Sequence, residues 1–186
     1  YAIGNSPDSG GGPAWYMIEG ETRPMLAMEA TTAINNPHEL QLMAVNLSGY
    51  YYVNNGFDAS PTNITNNPAE VWTSAGFDPI GSDPNSDGVA FTGSFYGEYE
   101  TIQGLYINRP STDNVGLFGY VGSDATIEYT ILNDASITGE YNVGGIAGVN
   151  YGNVSYDDVD NDYSPGMITG DSTVGGIVGD NWGQVT

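Results

Sequence analysis

The sequence has no cysteine and no lysine, two arginines (Arg23 and Arg109) and a single histidine, His38. Without cysteine there is no disulfide and no thiolate, so the fold rests on packing and hydrogen bonds, and no redox compartment can be read from it. With two strong cations the chain cannot neutralise a run of phosphates, which excludes nucleic acid as a partner and disfavours an anionic membrane surface. No stretch approaches the roughly 20 apolar residues of a membrane-spanning helix, so no membrane insertion is expected. Neither a Gly-x-Ser-x-Gly elbow nor a lysine-bearing phosphate loop is present. Glycosidase chemistry needs two carboxylates at a set separation. Among 23 acidic residues some pair meets that distance by accident, so the chain is not expected to be an enzyme.

What is present is acid, glycine and tyrosine. A formal net charge of −21 on 186 residues keeps chains apart until salt screens it or divalent cations bridge it, which suits a saline or calcium-containing exterior. A hydrophobic content of 39% and 14 tyrosines are too much for a disordered acidic tail, so one folded domain is expected.

Residues 1–14 read as a Gly/Pro loop, and residues 15–28 as two short strands around an acidic turn. Asn36, Pro37 and Glu39 spell a helix start ahead of Leu40, Leu42, Met43 and Val45, predicting a short helix that ends near Leu47. Residues 50–60 read as a strand. From Val89 onward, short apolar runs alternate with Gly, Asn, Asp and Ser. Val115, Val143 and Val174 open equivalent units spaced 28 and 31 residues apart. Ile127, Val154 and Val185 follow in the same order, and "SITG" at 136–139 recurs as "MITG" at 167–170. Such a period is too short for propeller blades and fits short strands stacking in parallel, with apolar ladders inside and Asn or Asp at the corners. The expected fold is all-β, a parallel β-helix with one short N-terminal helix.

"NVGLFGYVG", "YNVGGIAGVNYGNVS" and "STVGGIVGDNWGQV" resemble the GLUG-motif repeats of filamentous-haemagglutinin-like bacterial surface proteins. The likeness runs upstream through "EGETRPMLAMEATTAINNPHELQLMAVNLSGYYYVNNGFDAS" and covers residues 15–186. It implies a right-handed β-solenoid inside a longer exported protein, secreted or held at the cell surface, with a structural and adhesive role. It also implies three parts: residues 1–28 closing a preceding module or acting as a cap, a helix-containing entry segment at 29–88, and repeats at 89–186 that stop mid-unit. The partners expected are adjoining modules or further copies of the chain, stacked end to end into a filament or sheath with Ca²⁺ bridging acidic surfaces, and surface glycans. The rival reading is a carbohydrate-binding or polysaccharide-cleaving module on the same fold. "SYDDVDNDYSPG" departs from the family's usual sequence and makes this chain more acidic there.

Calcium is the candidate cofactor. Asp83, Asn85 and Asp87 in "DPNSDG" match the opening of a calcium loop, although Ser94 stands where its bidentate acid belongs. Asp158, Asp160 and Asp162 form a second alternating trio. The competing reading for both is solvated acidic loops. His38 is expected to cap or pack, and Arg23 and Arg109 to pair with acids at a module boundary. The recurring tyrosines are expected to form a packed ladder with wet hydroxyls rather than a sugar platform. Sequons lie at Asn46, Asn63 and Asn153.

Overall fold

The computed structural model describes residues 2–3, 15–65, 68–160 and 166–186. Within them the chain is mostly short strands joined in parallel, with one α-helix at Pro37–Leu42. The helix starts where its sequence says it should. Asn36 is extended and its Oδ1 accepts the Glu39 N–H at 2.9 Å, with Pro37 in the first turn. Glu39 reaches back to the Asn35 N–H at 2.7 Å, one residue earlier than a reciprocal capping box would have it. The helix tightens into a 3-10 turn at Met43–Val45 and ends there, slightly before Leu47.

This helix links two parallel strands, since Ala33–Ile34 pairs with Tyr52–Val53. It buries Leu40, Leu42 and Met43 beside the edge strand Ala33–Ile34 of a six-stranded sheet, and Leu40 and Met43 join the main core. An otherwise open sheet edge is covered in this way.

The parallel sheets take one strand from each successive unit. Ser94–Tyr96, Thr101–Gln103, Tyr106–Asn108 and Phe118–Val121 make the first full set. Thr126–Glu128, Ile131–Asn133, Ser136–Thr138, Tyr141–Val143 and Ala147–Asn150 repeat it. Asn153–Ser155, Asp158–Asp160, Ile168–Thr169, Ser172–Val174 and Val178–Asn181 repeat it again. Every strand of the first two sets pairs with its counterpart in the next unit. All three registers read from the sequence are present. Val115 bridges Val143, which pairs with Val174; Ile127 pairs with Val154, and Val154 with Val185; Ile137 pairs with Ile168. The same pairing continues upstream of Val89, where Tyr50–Val53 lies on Ser94–Tyr96 and Phe57–Asp58 on Thr101–Gln103. The stretch read as one strand is therefore two, on different sheets.

Register sets the core. Phe95, Ile127 and Val154 stack on one rung line, Ile102 and Leu132 on a second, Ile107 and Ile137 on a third, all fully buried. Each such side chain contributes roughly 1.5–3 kcal/mol by leaving water. Phe118 faces Ala147 in the next unit and turns to an aromatic group instead, 4.8 Å from Phe91 and 5.4 Å from Phe95. In the last rung Val174 and Val185 are 45% and 43% exposed, where Val143 and Val154 are wholly buried.

The N-terminal segment forms an antiparallel hairpin of Trp15–Tyr16 and Met25–Leu26 around its acidic turn. Ala2–Ile3, read as loop, adds a third strand, while residues 1 and 4–14 of that loop reading lie outside the described residues. The hairpin is tied to the rest by a Thr22–Trp72 bridge and by Thr73 N–H donating to the Glu21 carbonyl at 3.1 Å.

Candidate functional site

The hairpin, the turn that follows the helix and the loops at 78–89 and 109–114 meet at a cleft of about 790 Å³, lined by Tyr16, Leu47, Asp78, Asp83, Arg109 and Asp113 among others. Arg109 is its organising residue. It follows the strand Tyr106–Asn108, its side chain is 8% exposed, and Nη2 donates to Glu21 Oε2 at 3.0 Å and is ion-paired with Asp78 Oδ1 at 2.9 Å. Its Nε donates to the Phe77 carbonyl at 3.4 Å. One cation thus joins three segments. Burial pushes the Asp78 carboxyl up to about 6; the Arg109 charge opposes that rise and Glu21 adds to it.

Asp78 is positioned by a residue that sequence reasoning passed over. Gln41 is fully buried on the helix. Its Oε1 accepts from Trp72 Nε1 and from the Asp78 N–H, both at 2.9 Å, and its Nε2 donates to the Asp78 carbonyl at 3.0 Å. A glutamine two residues before a buried methionine, on a helix with apolar residues either side, was the available signal. The expected pairing with acids is present at Arg109. Arg23 donates to the carbonyls of Ala69 and Pro68, at 3.3 and 3.2 Å. His38 stacks on Trp72 with ring centroids 5.0 Å apart and sits 2.9 Å from Glu70 Oε2, in the packing role expected of it.

Of the acidic trios, Asp83, Asn85 and Asp87 share one turn at the cleft wall. Asp83 Oδ1 accepts both the Asn85 N–H at 2.8 Å and Asn85 Nδ2 at 2.9 Å, so it caps the 3-10 turn Pro84–Ser86. Asp87 closes that turn in the left-handed region, with φ 62°. Asp158 and Asp160 lie on one strand, at the rungs of Ile131 and Asn133, and Asp162 lies outside the described residues. Among the described residues no three acidic or histidine side chains converge as a metal-holding group.

Beside that second trio, Asp157 is half-buried. Its Oδ1 accepts the Thr130 N–H at 2.6 Å, while Oδ2 and the Thr130 Oγ1 are enclosed and unpaired. Burial raises this carboxyl from 3.8 to about 7, against the lowering effect of the Thr130 N–H. A group whose folded pKa lies above its unfolded value makes the folded state the better proton binder between the two, so stability falls as pH rises through that window. Asp157 gives such a slope from about 4 to 7 and Asp78 from about 4 to 6. The Tm is therefore expected to fall on going from pH 5 to pH 8. Asp157→Asn keeps the acceptor, supplies a donor for Thr130 and removes the charge, so it should raise Tm at pH 8 by several degrees, from roughly 1–3 kcal/mol, and flatten the slope. Thermal melts across pH read this directly; a Tm for Asp157→Asn below the parent's at pH 8 would contradict it.

On the outer surface the corners carry ladders. Tyr99, Tyr129 and Tyr156 all adopt positive φ; Tyr129 and Tyr156 stack with centroids 5.1 Å apart, and Tyr99 lies tilted by 41° against Tyr129 at 4.7 Å. Tyr120, Tyr151 and Trp182 stack at 5.5 and 6.1 Å, the last pair within 8° of parallel. Asn142 Nδ2 donates to Asn114 Oδ1, and Asn150 Nδ2 to Asn181 Oδ1, each at 2.8 Å. Tyr151 is sandwiched between Tyr120 and Trp182, as packing requires, whereas Trp182, Tyr99 and Tyr156 at the ladder ends are 68%, 65% and 63% exposed and keep ring surface open to a partner.

No family model and no solved structure matches the chain. A stretch of 78 residues is 42% identical to part of Halomucin from Haloquadratum walsbyi. The match takes in 42% of this chain and spans only 1% of Halomucin's length. No helix among the described residues is long and apolar enough to cross a membrane.

Proposed function

We propose that the chain is a rigid structural element of an extracellular or cell-surface protein, wound as a right-handed parallel β-helix of the GLUG-repeat kind. The observation that carries this reading is the register: successive units lay counterpart strands on one another in parallel over an unbroken ladder of buried residues. Closing each unit over the last satisfies backbone hydrogen bonds along one axis and gives an extended body whose stability adds up by neighbours. The likeness to a stretch of Halomucin supports the extracellular setting, as does a surface with 23 acids and two strong cations.

The reading extends to self-association of copies through the acidic surface. Salt should favour contact between copies by screening the −21 charge, and Ca²⁺ should favour it by bridging carboxylates at the Asp83–Asp87 turn and the Asp158–Asp160 strand. This reading assigns the chain no catalysis. Negative-stain electron microscopy of the purified chain, with and without Ca²⁺ at high salt, should show rods or filaments that lengthen with the cation. Uniform monomers under every condition would overturn the self-associating part.

A further inference from the structure

The three sequons sit in two different kinds of place. Asn46 follows the 3-10 turn Met43–Val45, and Asn63 follows the 3-10 turn Ser60–Thr62. In each case the asparagine N–H closes the turn onto the carbonyl three residues back, Met43 or Ser60, at 3.0 Å. In each case Oδ1 accepts the backbone N–H two residues on, from Ser48 at 3.3 Å or Thr65 at 3.1 Å. Ser48 Oγ also donates to Asn46 Oδ1 at 3.0 Å. The carboxamide oxygen is thus held by the sequon's own hydroxyl-bearing residue, and Nδ2 has no acceptor among the described residues. Asn46, Ser48 and Thr65 are exposed and Asn63 is half-buried.

Asn153 is the opposite case. It lies in the strand Asn153–Ser155, paired on both sides with Thr126 and Gln184. Its Nδ2 donates to Glu128 Oε1 at 3.1 Å and to Ser155 Oγ at 3.3 Å, and Ser155 is itself buried. Neither the amide nitrogen nor the hydroxyl of that sequon can be presented without opening the sheet.

We propose that Asn46 and Asn63 are N-glycan acceptor sites of the folded chain and that Asn153 is not. The donor class is an oligosaccharide linked through its anomeric carbon to a polyprenyl phosphate. In the transfer, Nδ2 forms a bond to the anomeric carbon, and the anomeric carbon–oxygen bond to phosphate breaks. The bonding pair leaves with the lipid phosphate, and the nitrogen gives one proton to a base of the transferase. Asn46 also borders a shallow groove of about 500 Å³ that includes Val45 and Val89, which are 45% and 62% exposed. A glycan rooted there would cover that apolar patch.

The inference rests on export of the chain, so its test leaves export out. The purified folded chain is incubated with a single-subunit oligosaccharyltransferase and a polyprenyl-phosphate-linked oligosaccharide. Three synthetic peptides, one per sequon, serve as unfolded acceptors, and occupancy is mapped by peptide mass spectrometry. All three peptides should accept sugar, whereas in the folded chain Asn46 and Asn63 should exceed Asn153 by about tenfold or more, since Asn153 must first release two hydrogen bonds. Asn46→Gln and Asn63→Gln should each remove one glycan and leave the other. Equal occupancy at Asn153, or none at both loop sites while their peptides react, would overturn the assignment. Either failure counts against the acceptor sites and leaves the surface reading as it stands.

Discussion

Arg109→Ala should cost the fold about 3–5 kcal/mol, the usual loss when one partner of a buried ion pair is deleted. In a chain of this size that is a fall of roughly 10 °C or more in Tm. The reason is what is left behind. Asp78 and Glu21 would face each other beside the cleft without the cation that now pairs with both. Asp78 already titrates at about 6 with Arg109 present, so removing Arg109 should drive that carboxyl higher still. The loss should therefore depend on pH, being largest at pH 8 and smaller at pH 5, where Asp78 takes up a proton and needs no counter-ion. Adding Asp78→Asn to Arg109→Ala should restore part of the stability at pH 8. Thermal melts of the two variants at both pH values measure this. A Tm loss of equal size at pH 5 and pH 8 would mean that Arg109 acts by packing alone.

The pairing of Arg109 shows where a sequence stops being legible. That a lone strong cation among carboxylates would be neutralised follows from charge. Its partners do not, because Glu21 stands 88 residues away and is brought there only by the hairpin folding against the repeats. Repeat registers were readable for the opposite reason. They are relations between like residues at a fixed period, so Val143 and Val174 declare their neighbourhood without any knowledge of the loops between them. The helix was readable because Asn36, Pro37 and Glu39 act on the backbone within four residues. Gln41 was not, since a polar residue on a short helix reads as solvated until Trp72 and Asp78 are seen to take three bonds from its amide. Among the candidate calcium residues, alternation along the chain said which oxygens were close in sequence. It did not say that Asp83 would use Oδ1 to close its own turn.

Gly148→Ala should also destabilise strongly, by roughly 2–3 kcal/mol or a Tm fall of about 5–10 °C, as expected for forcing a methyl into a filled space. Gly148 is the last glycine of "VGGIAG" and lies in the strand Ala147–Asn150. A Cβ there would stand 2.6 Å from the Val115 nitrogen and 2.7 Å from the Asn114 Cα, both backbone atoms of the preceding unit. One unit later the relation recurs, with a Cβ on Gly179 meeting the Val143 nitrogen at 2.6 Å. The glycine is thus demanded by the approach of one unit to the next, and not by a left-handed backbone. Gly176→Ala supplies the control, because a Cβ at that glycine of "VGGIVG" meets nothing within 4 Å. There the expected change is neutral or a slight gain of about 0.4–1 kcal/mol from a stiffer unfolded chain. Equal Tm values for the two variants would contradict the inter-unit explanation of the motif. A large loss confined to Gly148 would mean that the repeated glycines are spacing elements, written wherever one unit's backbone must lie directly on another's.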